Sequence, residues 1–384
     1  MKAEKFSISK AAPVLFAFFI MGFCDIVGFS SNYVRQDFGL SNTTANFLPF
    51  MVFVWFFIFS IPTGMIMNKL GRKRTVQVSN IITIIAMTIP FIGYNFYSCL
   101  AAFALLGIGN TILQVSLNPL VSNVVAPQRL TSSLTAGQFI KAISSFSAPF
   151  IAAFAASYFG KWQSMFPIFA AITLLSALWL QLTPIAESDK PAVSTTVADV
   201  LKLLKNRTIL LLFLGIVCVV GVDVGINTVT PRILMERCGL AVEDANYGVS
   251  VYFACRTVGS FIGAFLLARF SSAKFFKISM LLMTAALGAM FFSGNKIQIL
   301  VLVGVIGFAI ANVFSILFAS AIRQLHEKTN EISGLMITGV AGGAVIPLLM
   351  GVSTDLAGSQ TGAVAVISLC ALYLLYCALN KRFI

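Results

Sequence analysis

"FLPFMVFVWFFIFSIPTGMIMNKLGRKR", residues 47–74, is a long apolar run that ends abruptly in Lys69, Arg72, Lys73 and Arg74. About 20 mostly apolar residues in helical form cross the hydrocarbon core of a bilayer. The cations at its end mark where the chain leaves the lipid. The same pattern recurs in both directions and predicts twelve spans, roughly at 12–34, 45–69, 75–94, 97–125, 132–159, 163–182, 208–234, 245–268, 275–293, 297–322, 332–354 and 360–379. Composition agrees. The chain is 58% hydrophobic and 10% charged, against about 45–50% and 25% in soluble domains. The runs are too long and too uniformly apolar for barrel strands of about 10 alternating residues.

The formal charge of +13 would suit a nucleic-acid partner, but its distribution reports topology instead. With the N-terminus inside, only Arg35, Lys161, Arg232, Arg237 and Lys296 face outward, and Lys141 and Arg256 lie within spans. The rest of the 26 Lys and Arg face the cytoplasm. Positively charged loops stay inside. The expectation is therefore a multi-pass protein of a bacterial cytoplasmic (inner) membrane, monomeric, with both termini cytoplasmic and no nucleic-acid partner. The first apolar run is too long for a signal-peptide core. Seven scattered cysteines give neither a disulfide framework nor metal spacing.

The polar stretch 183–207 divides the spans six and six, which predicts an N-terminal bundle over 1–182, a cytoplasmic linker over 183–207 and a C-terminal bundle over 208–384. The halves echo each other. "QDFGL" (36–40) returns as "ERCGL" (236–240), Ser60 as Ser260 and Lys69 as Arg269. This pattern predicts an all-α fold of two pseudo-symmetric six-helix bundles related by an axis along the membrane normal.

Four charges remain inside spans: Asp25, Lys141, Asp223 and Arg256. Asp25 would lie about 20 Å deep at a ~1.5 Å rise per residue. An ionised carboxyl there costs at least ~2.5–3.5 kcal/mol unless it is paired, wet or protonated. The formal sum is zero, and the expected pairs are Asp25 with Lys141 and Asp223 with Arg256. Neutral polar groups join them. Asn110, Gln114 and Asn118 follow at spacings of four, so they share a helix face. Asn32 lies two turns from Asp25, Gln138 one turn before Lys141, and Asn227 one turn after Asp223, while Asn312 sits in span ten. Pro119 frees a backbone carbonyl in span four. An amide stripe of this kind suits a wet cavity that binds hydroxyls, although any one amide serves a helix–helix hydrogen bond equally well. Phosphate-loop and zinc-ligand motifs are missing from the sequence, and the lone His326 lies in a loop. The expectation is not an enzyme and uses no cofactor.

The loop "GMIMNKLGRKR" (64–74) resembles the signature loop of the major facilitator superfamily, G-x-x-x-D-[RK]-x-G-R-[RK]. Gly64, Lys69, Gly71, Arg72 and Lys73 match, and Asn68 replaces the aspartate. Within that superfamily four segments resemble the fucose:proton and glucose/galactose sugar symporters: "GFCDIVGFSSNYVRQDFGL", "LQVSLNPLV", "VVGVDVG" and "SILFASAIRQLHEKTNEISGLMITGVAGGAVIPLLMGVSTD". The resemblance implies alternating access between two bundles, a conformational-switch loop at 64–73, and symport of a monosaccharide with a proton or sodium ion. The charge inventory adds the expectation that Asp25 takes the proton or sodium ion and that its state sets the pairing with Lys141, with no other metal. Sugar would meet Asn32, Gln114, Asn118, Gln138, Lys141, Asp223, Asn227, Arg256 and Asn312. Gln114 departs from the family, whose fucose permease carries a glutamate there, and Lys141 stands where neutral groups are usual. A rival reading keeps the fold and makes Lys141 and Arg256 anion grips of an organic-anion or drug exchanger.

Overall fold

The computed structural model describes residues 8–40, 47–187, 196–240, 245 and 247–380. They form twelve long helical rods and a short helix, Val197–Lys202, between the sixth and the seventh. In chain order, α1 runs as Ile8–Met21, a 3-10 turn Gly22–Asp25, and Ile26–Asp37. Then follow α2 (Phe47–Leu70), α3 (Arg72–Ile92), α4 (Phe96–Val124), α5 (Leu130–Phe159), α6 (Met165–Leu182), α7 (Arg207–Cys238), α8 (Tyr247–Arg269) and α9 (Ser272–Met290). The last three are α10 (Lys296–Ile310 and Val313–Gln324), α11 (Thr329–Thr338, a 3-10 turn Gly339–Ala341, then Gly342–Ala357) and α12 (Thr361–Leu379). Eleven helices among the described residues are long and apolar enough to cross a membrane, and α1 adds the broken twelfth.

Local chemistry fixes several helix ends. α4 opens on a capping box in which the Asn95 side chain accepts the Ser98 N–H and Ser98 Oγ accepts the Asn95 N–H. Asn206 accepts the N–H groups of Thr208 and Ile209 at the start of α7. α3 begins after Gly71, whose φ of 83° suits a residue without Cβ.

The same packing scheme serves both halves. α4 lies on α2 and α3, α1 on α5, and α3 on α6. In the second half α10 lies on α8 and α9, α7 on the second segment of α11, and α9 on α12. The fold is therefore a repeated six-helix bundle.

Two compact units result. One comprises the chain up to Leu201 with Glu327–Thr338, the other Lys202–His326 with Gly339–Ile384. Along the sequence the units first part between Leu201 and Lys202. Residues 327–338 do not follow this division, because the first segment of α11 lies against α2. A Cβ on Gly64 would stand 2.7 Å from the Asn330 carbonyl oxygen, and one on Gly334 would stand 2.7 Å from that of Ser60. Small residues permit such close approach. Hydropathy counts this segment with its neighbours in sequence and carries no information on that contact.

Candidate functional site

The break in α1 places the first charged group. Gly22 lets α1 approach α5 closely, since a Cβ there would lie 2.6 Å from Ser144 Cβ and 2.7 Å from the Lys141 carbonyl oxygen. At the same turn Asn110 Nδ2 of α4 donates to the Met21 carbonyl at 2.9 Å. Asp25 closes the turn. Its Oδ2 accepts from Ser145 Oγ at 2.6 Å and lies 3.9 Å from Lys141 Nζ. The Cys24 thiol donates to Oδ1 at 3.2 Å. The Asp25 and Lys141 side chains keep 38% and 20% of their surface exposed.

The second unit repeats the device with different residues. Arg256 Nη2 of α8 lies 3.0 Å from Asp223 Oδ2 of α7, and the Tyr252 hydroxyl donates to Asp223 Oδ1. Asn227 Nδ2 donates to the Asp223 carbonyl at 2.9 Å. In each unit an aspartate on the first helix meets a cation and a hydroxyl four residues apart on one partner helix. That spacing puts both groups on one face. The fully buried Tyr252 ring fixes its hydroxyl firmly. Both pairings inferred from charge inventory are thus present as contacts.

The α4 stripe is drier than its composition suggests. Asn110, Gln114 and Asn118 are all buried. Gln114 Nε2 donates to Asn110 Oδ1 at 2.8 Å, and Asn118 Nδ2 donates to the Gln114 carbonyl at 2.9 Å. Asn312, at the break in α10, donates Nδ2 to the Gly259 carbonyl at 3.0 Å. Among the described residues, Oδ1 of Asn118, Asn227 and Asn312 meets no protein donor. Gln138 is half-buried one turn before Lys141, and the side chain of Asn32 lies outside what is described.

The 64–73 loop forms a dense polar knot. Asn68 Nδ2 donates to Glu331 Oε1 at 2.7 Å and receives Asn330 Nδ2 on its Oδ1 at 2.8 Å. Arg72 donates to Asn330 Oδ1 at 2.8 Å, Asn123 Oδ1 at 2.5 Å, Ser122 Oγ at 3.2 Å and the Pro119 carbonyl at 3.2 Å. The Glu187 carboxylate accepts the backbone N–H groups of Arg72 and Lys73, each at 2.6 Å, and so neutralises the positive end of α3. Lys73 Nζ donates to the Gln181 and Thr183 carbonyls at 3.0 and 2.8 Å, while Lys69 lies in the last turn of α2. Pro119 cannot donate to Val115, and Ser333 Oγ takes that carbonyl at 2.6 Å.

Sequence reasoning missed Ser145, Tyr252, Glu187, Asn330 and Glu331. Ser145 and Tyr252 carried one faint signal, a hydroxyl four residues from an intramembrane cation. The other three had none.

The major facilitator superfamily model matches residues 13–347. The chain belongs to the major facilitator superfamily. Like its other members it is a multi-pass membrane transporter and not an enzyme. It is 28% identical to the glucose/galactose transporter of Brucella abortus, over 85% of this chain and 82% of that one. It is 22% identical to the L-fucose-proton symporter of Escherichia coli K12, over 88% and 84%. The solved structure of FucP in the outward conformation superposes with a TM-score of 0.85 at 20% identity, covering 96% of this chain and 97% of that one. This superfamily fold carries both aspartate clusters and the Asn68 knot.

Proposed function

We propose that the chain is a secondary active transporter that carries a monosaccharide with a proton or sodium ion by alternating access. One observation carries the reading: each unit presents a partly exposed aspartate already matched to a cation and a hydroxyl. Intramembrane ionisable groups mark transport paths by default. Relatives named for glucose, galactose and fucose support a sugar as cargo. Each base already has its acid, which favours a neutral polyhydroxyl cargo over an organic anion.

In this mechanism Asp25 is the coupling group. A proton or sodium ion arriving there cancels its charge, weakens the hold on Lys141, and turns Lys141 and Ser145 toward sugar hydroxyls. Asp223, Asn227 and Arg256 also meet the sugar, and Asn32, Gln114, Asn118, Gln138 and Asn312 supply or position hydrogen bonds. The Asn68–Glu331–Asn330–Arg72 knot biases the switch between access states. The protein acts as a monomer in a bacterial cytoplasmic membrane, with the basic loops and both ends of the sequence inside, and needs no cofactor.

Counterflow in proteoliposomes tests the reading, using glucose, galactose and fucose at several pH values with and without sodium. Saturable sugar counterflow with cation-driven accumulation is expected. Flux of organic anions with no sugar flux would sink the proposal.

A further inference from the structure

In the second unit α10 packs against both α8 and α9. Its glycines bring it close to α8. A Cβ on Gly307 would stand 2.7 Å from the Tyr252 carbonyl oxygen, and one on Gly304 would stand 3.0 Å from Cys255 Sγ. Beside them runs a furrow of about 500 Å³ lined by Val251 and Cys255 of α8, Leu282 of α9, and Ile297, Val301 and Phe308 of α10 among others. Every lining side chain is apolar apart from the one thiol. Ile297 and Val301 are 70% and 58% exposed, so the furrow opens on the side of the helices that faces lipid. From Ile297 to Phe308 it follows α10 for about 16 Å at ~1.5 Å per residue. Its upper end lies at the start of that helix, where Lys296 is exposed.

We propose that this furrow binds one acyl chain of an anionic phospholipid, with the phosphate against Lys296. A lining without hydrogen-bonding side chains refuses a polar solute and accepts a hydrocarbon chain. Lys296 stands one residue before Ile297 of the lining, so one positive charge at the mouth attracts an anionic headgroup more than a zwitterionic one. The site also touches the transport machinery. Val251 and Cys255 line the furrow, while their neighbours Tyr252 and Arg256 hold Asp223. A bound chain steadies the turns of α8 that present both groups. This regulatory step rests on the transport reading above, whereas the binding step does not.

The test is to delipidate the purified protein in mild detergent and offer it phosphatidylglycerol or phosphatidylcholine of equal chain length. Retained lipid is then counted by native mass spectrometry. One phosphatidylglycerol per chain is expected, held at least fivefold more often than phosphatidylcholine. Lys296→Gln should erase that preference, and Val301→Trp, filling the furrow from its exposed rim, should remove both lipids. Equal retention by the wild type and both variants overturns the site. Equal retention of the two lipids by the wild type overturns the headgroup contact. Should Val301→Trp fail to fold, the exposed Lys296→Gln decides alone. In proteoliposomes phosphatidylglycerol should raise wild-type sugar counterflow at least twofold and leave Lys296→Gln unchanged. Absence of sugar flux under every condition would sink the transport reading and leave the lipid count standing.

Discussion

Asp37 and Arg237 stand at matching places in the two repeats and tie the same connections with opposite charge. Asp37 ends α1, and its Oδ2 accepts from the Tyr94 hydroxyl at 2.5 Å and from Trp162 Nε1 at 2.9 Å. Those partners lie in the α3–α4 and α5–α6 connections. Arg237, in the last turn of α7, donates to the Met290 and Ser293 carbonyls at 2.6 and 2.9 Å and to Thr361 Oγ1 at 3.3 Å. Those partners end α9 and begin α12. A carboxylate that gathers donors and a guanidinium that gathers carbonyls are interchangeable solutions to one geometric need.

Asp37→Ala should therefore lower the melting temperature in detergent more than Asp37→Asn does. The alanine leaves the Trp162 indole N–H, on a ring only 7% exposed, without its acceptor. A buried donor left unpaired costs about 1–3 kcal/mol. Equal melting temperatures for the two variants would show that the acceptor is not what holds this connection.

Tyr94 adds a pH signature. Burial, and then the hydrogen bond to Asp37, raise its phenol above the ordinary value of 10.0. The folded protein thus holds a proton that the unfolded chain releases near pH 10. Stability from this group is fully present below that pH and is lost as pH rises through the unfolded value toward the folded one. Alkaline melting curves should fall for the wild type and flatten for Tyr94→Phe.

Asp25→Asn should abolish accumulation against a gradient and spare exchange. The amide can still accept from Ser145 but can no longer carry or discharge a proton. Lys141→Gln alone leaves Asp25 with Ser145 and Cys24 as its remaining donors among the described contacts, and should reduce transport at least tenfold. The double variant should recover stability relative to Lys141→Gln, because removing both partners of an ion pair costs less than stranding one. Uptake and counterflow, measured side by side, separate these outcomes.

How far the sequence carries can be read from these groups. Charges in lipid must be paired, so four intramembrane charges of zero sum left few matchings. The contacts 3.9 Å and 3.0 Å long are the ones that inventory chose. Hydroxyls obey no such arithmetic. Ser145 was one serine among many, and Tyr252 one aromatic among many. The α4 amides show a deeper limit. A spacing of four aligns side chains on one face, and it also lets each amide reach its neighbour one turn away. Gln114 to Asn110 and Asn118 to the Gln114 carbonyl use the second option, and period alone cannot separate the two. Glu187 and Glu331 were invisible for another reason, since each meets its partner across more than a hundred residues.

Ser333 and Pro119 should be coupled. Ser333 Oγ donates to the Val115 carbonyl, which has no in-helix donor because residue 119 is proline. Ser333→Ala should destabilise the wild type by about 1 kcal/mol, the usual worth of one hydrogen bond. In a Pro119→Ala background the helix supplies its own N–H, and the same substitution should cost less. A double-mutant cycle returning a coupling energy near zero would mean that the hydroxyl is held by something other than the proline's missing donor.

The Asn68 departure makes the sharpest demand. Restoring the superfamily aspartate by Asn68→Asp would set a carboxylate against Glu331 Oε1, where Asn68 Nδ2 now donates at 2.7 Å. Two like charges at that distance repel, and the Asn330 amide could satisfy only one of them. In this chain the acid of the pair sits on α11 and the amide in the loop is its donor. Asn68→Asp should then loosen the first segment of α11 from α2 and slow transport on the order of tenfold, equivalent to about 1.4 kcal/mol. Glu331→Gln should also impair the knot, because Arg72 then loses a nearby acid. The pair Asn68→Asp with Glu331→Gln exchanges the two roles and should recover most of the activity. Spin-label distances between α2 and the first segment of α11 would report the loosening directly, apart from transport. A double variant as impaired as Asn68→Asp alone would show that position 68 needs the amide for some reason other than Glu331.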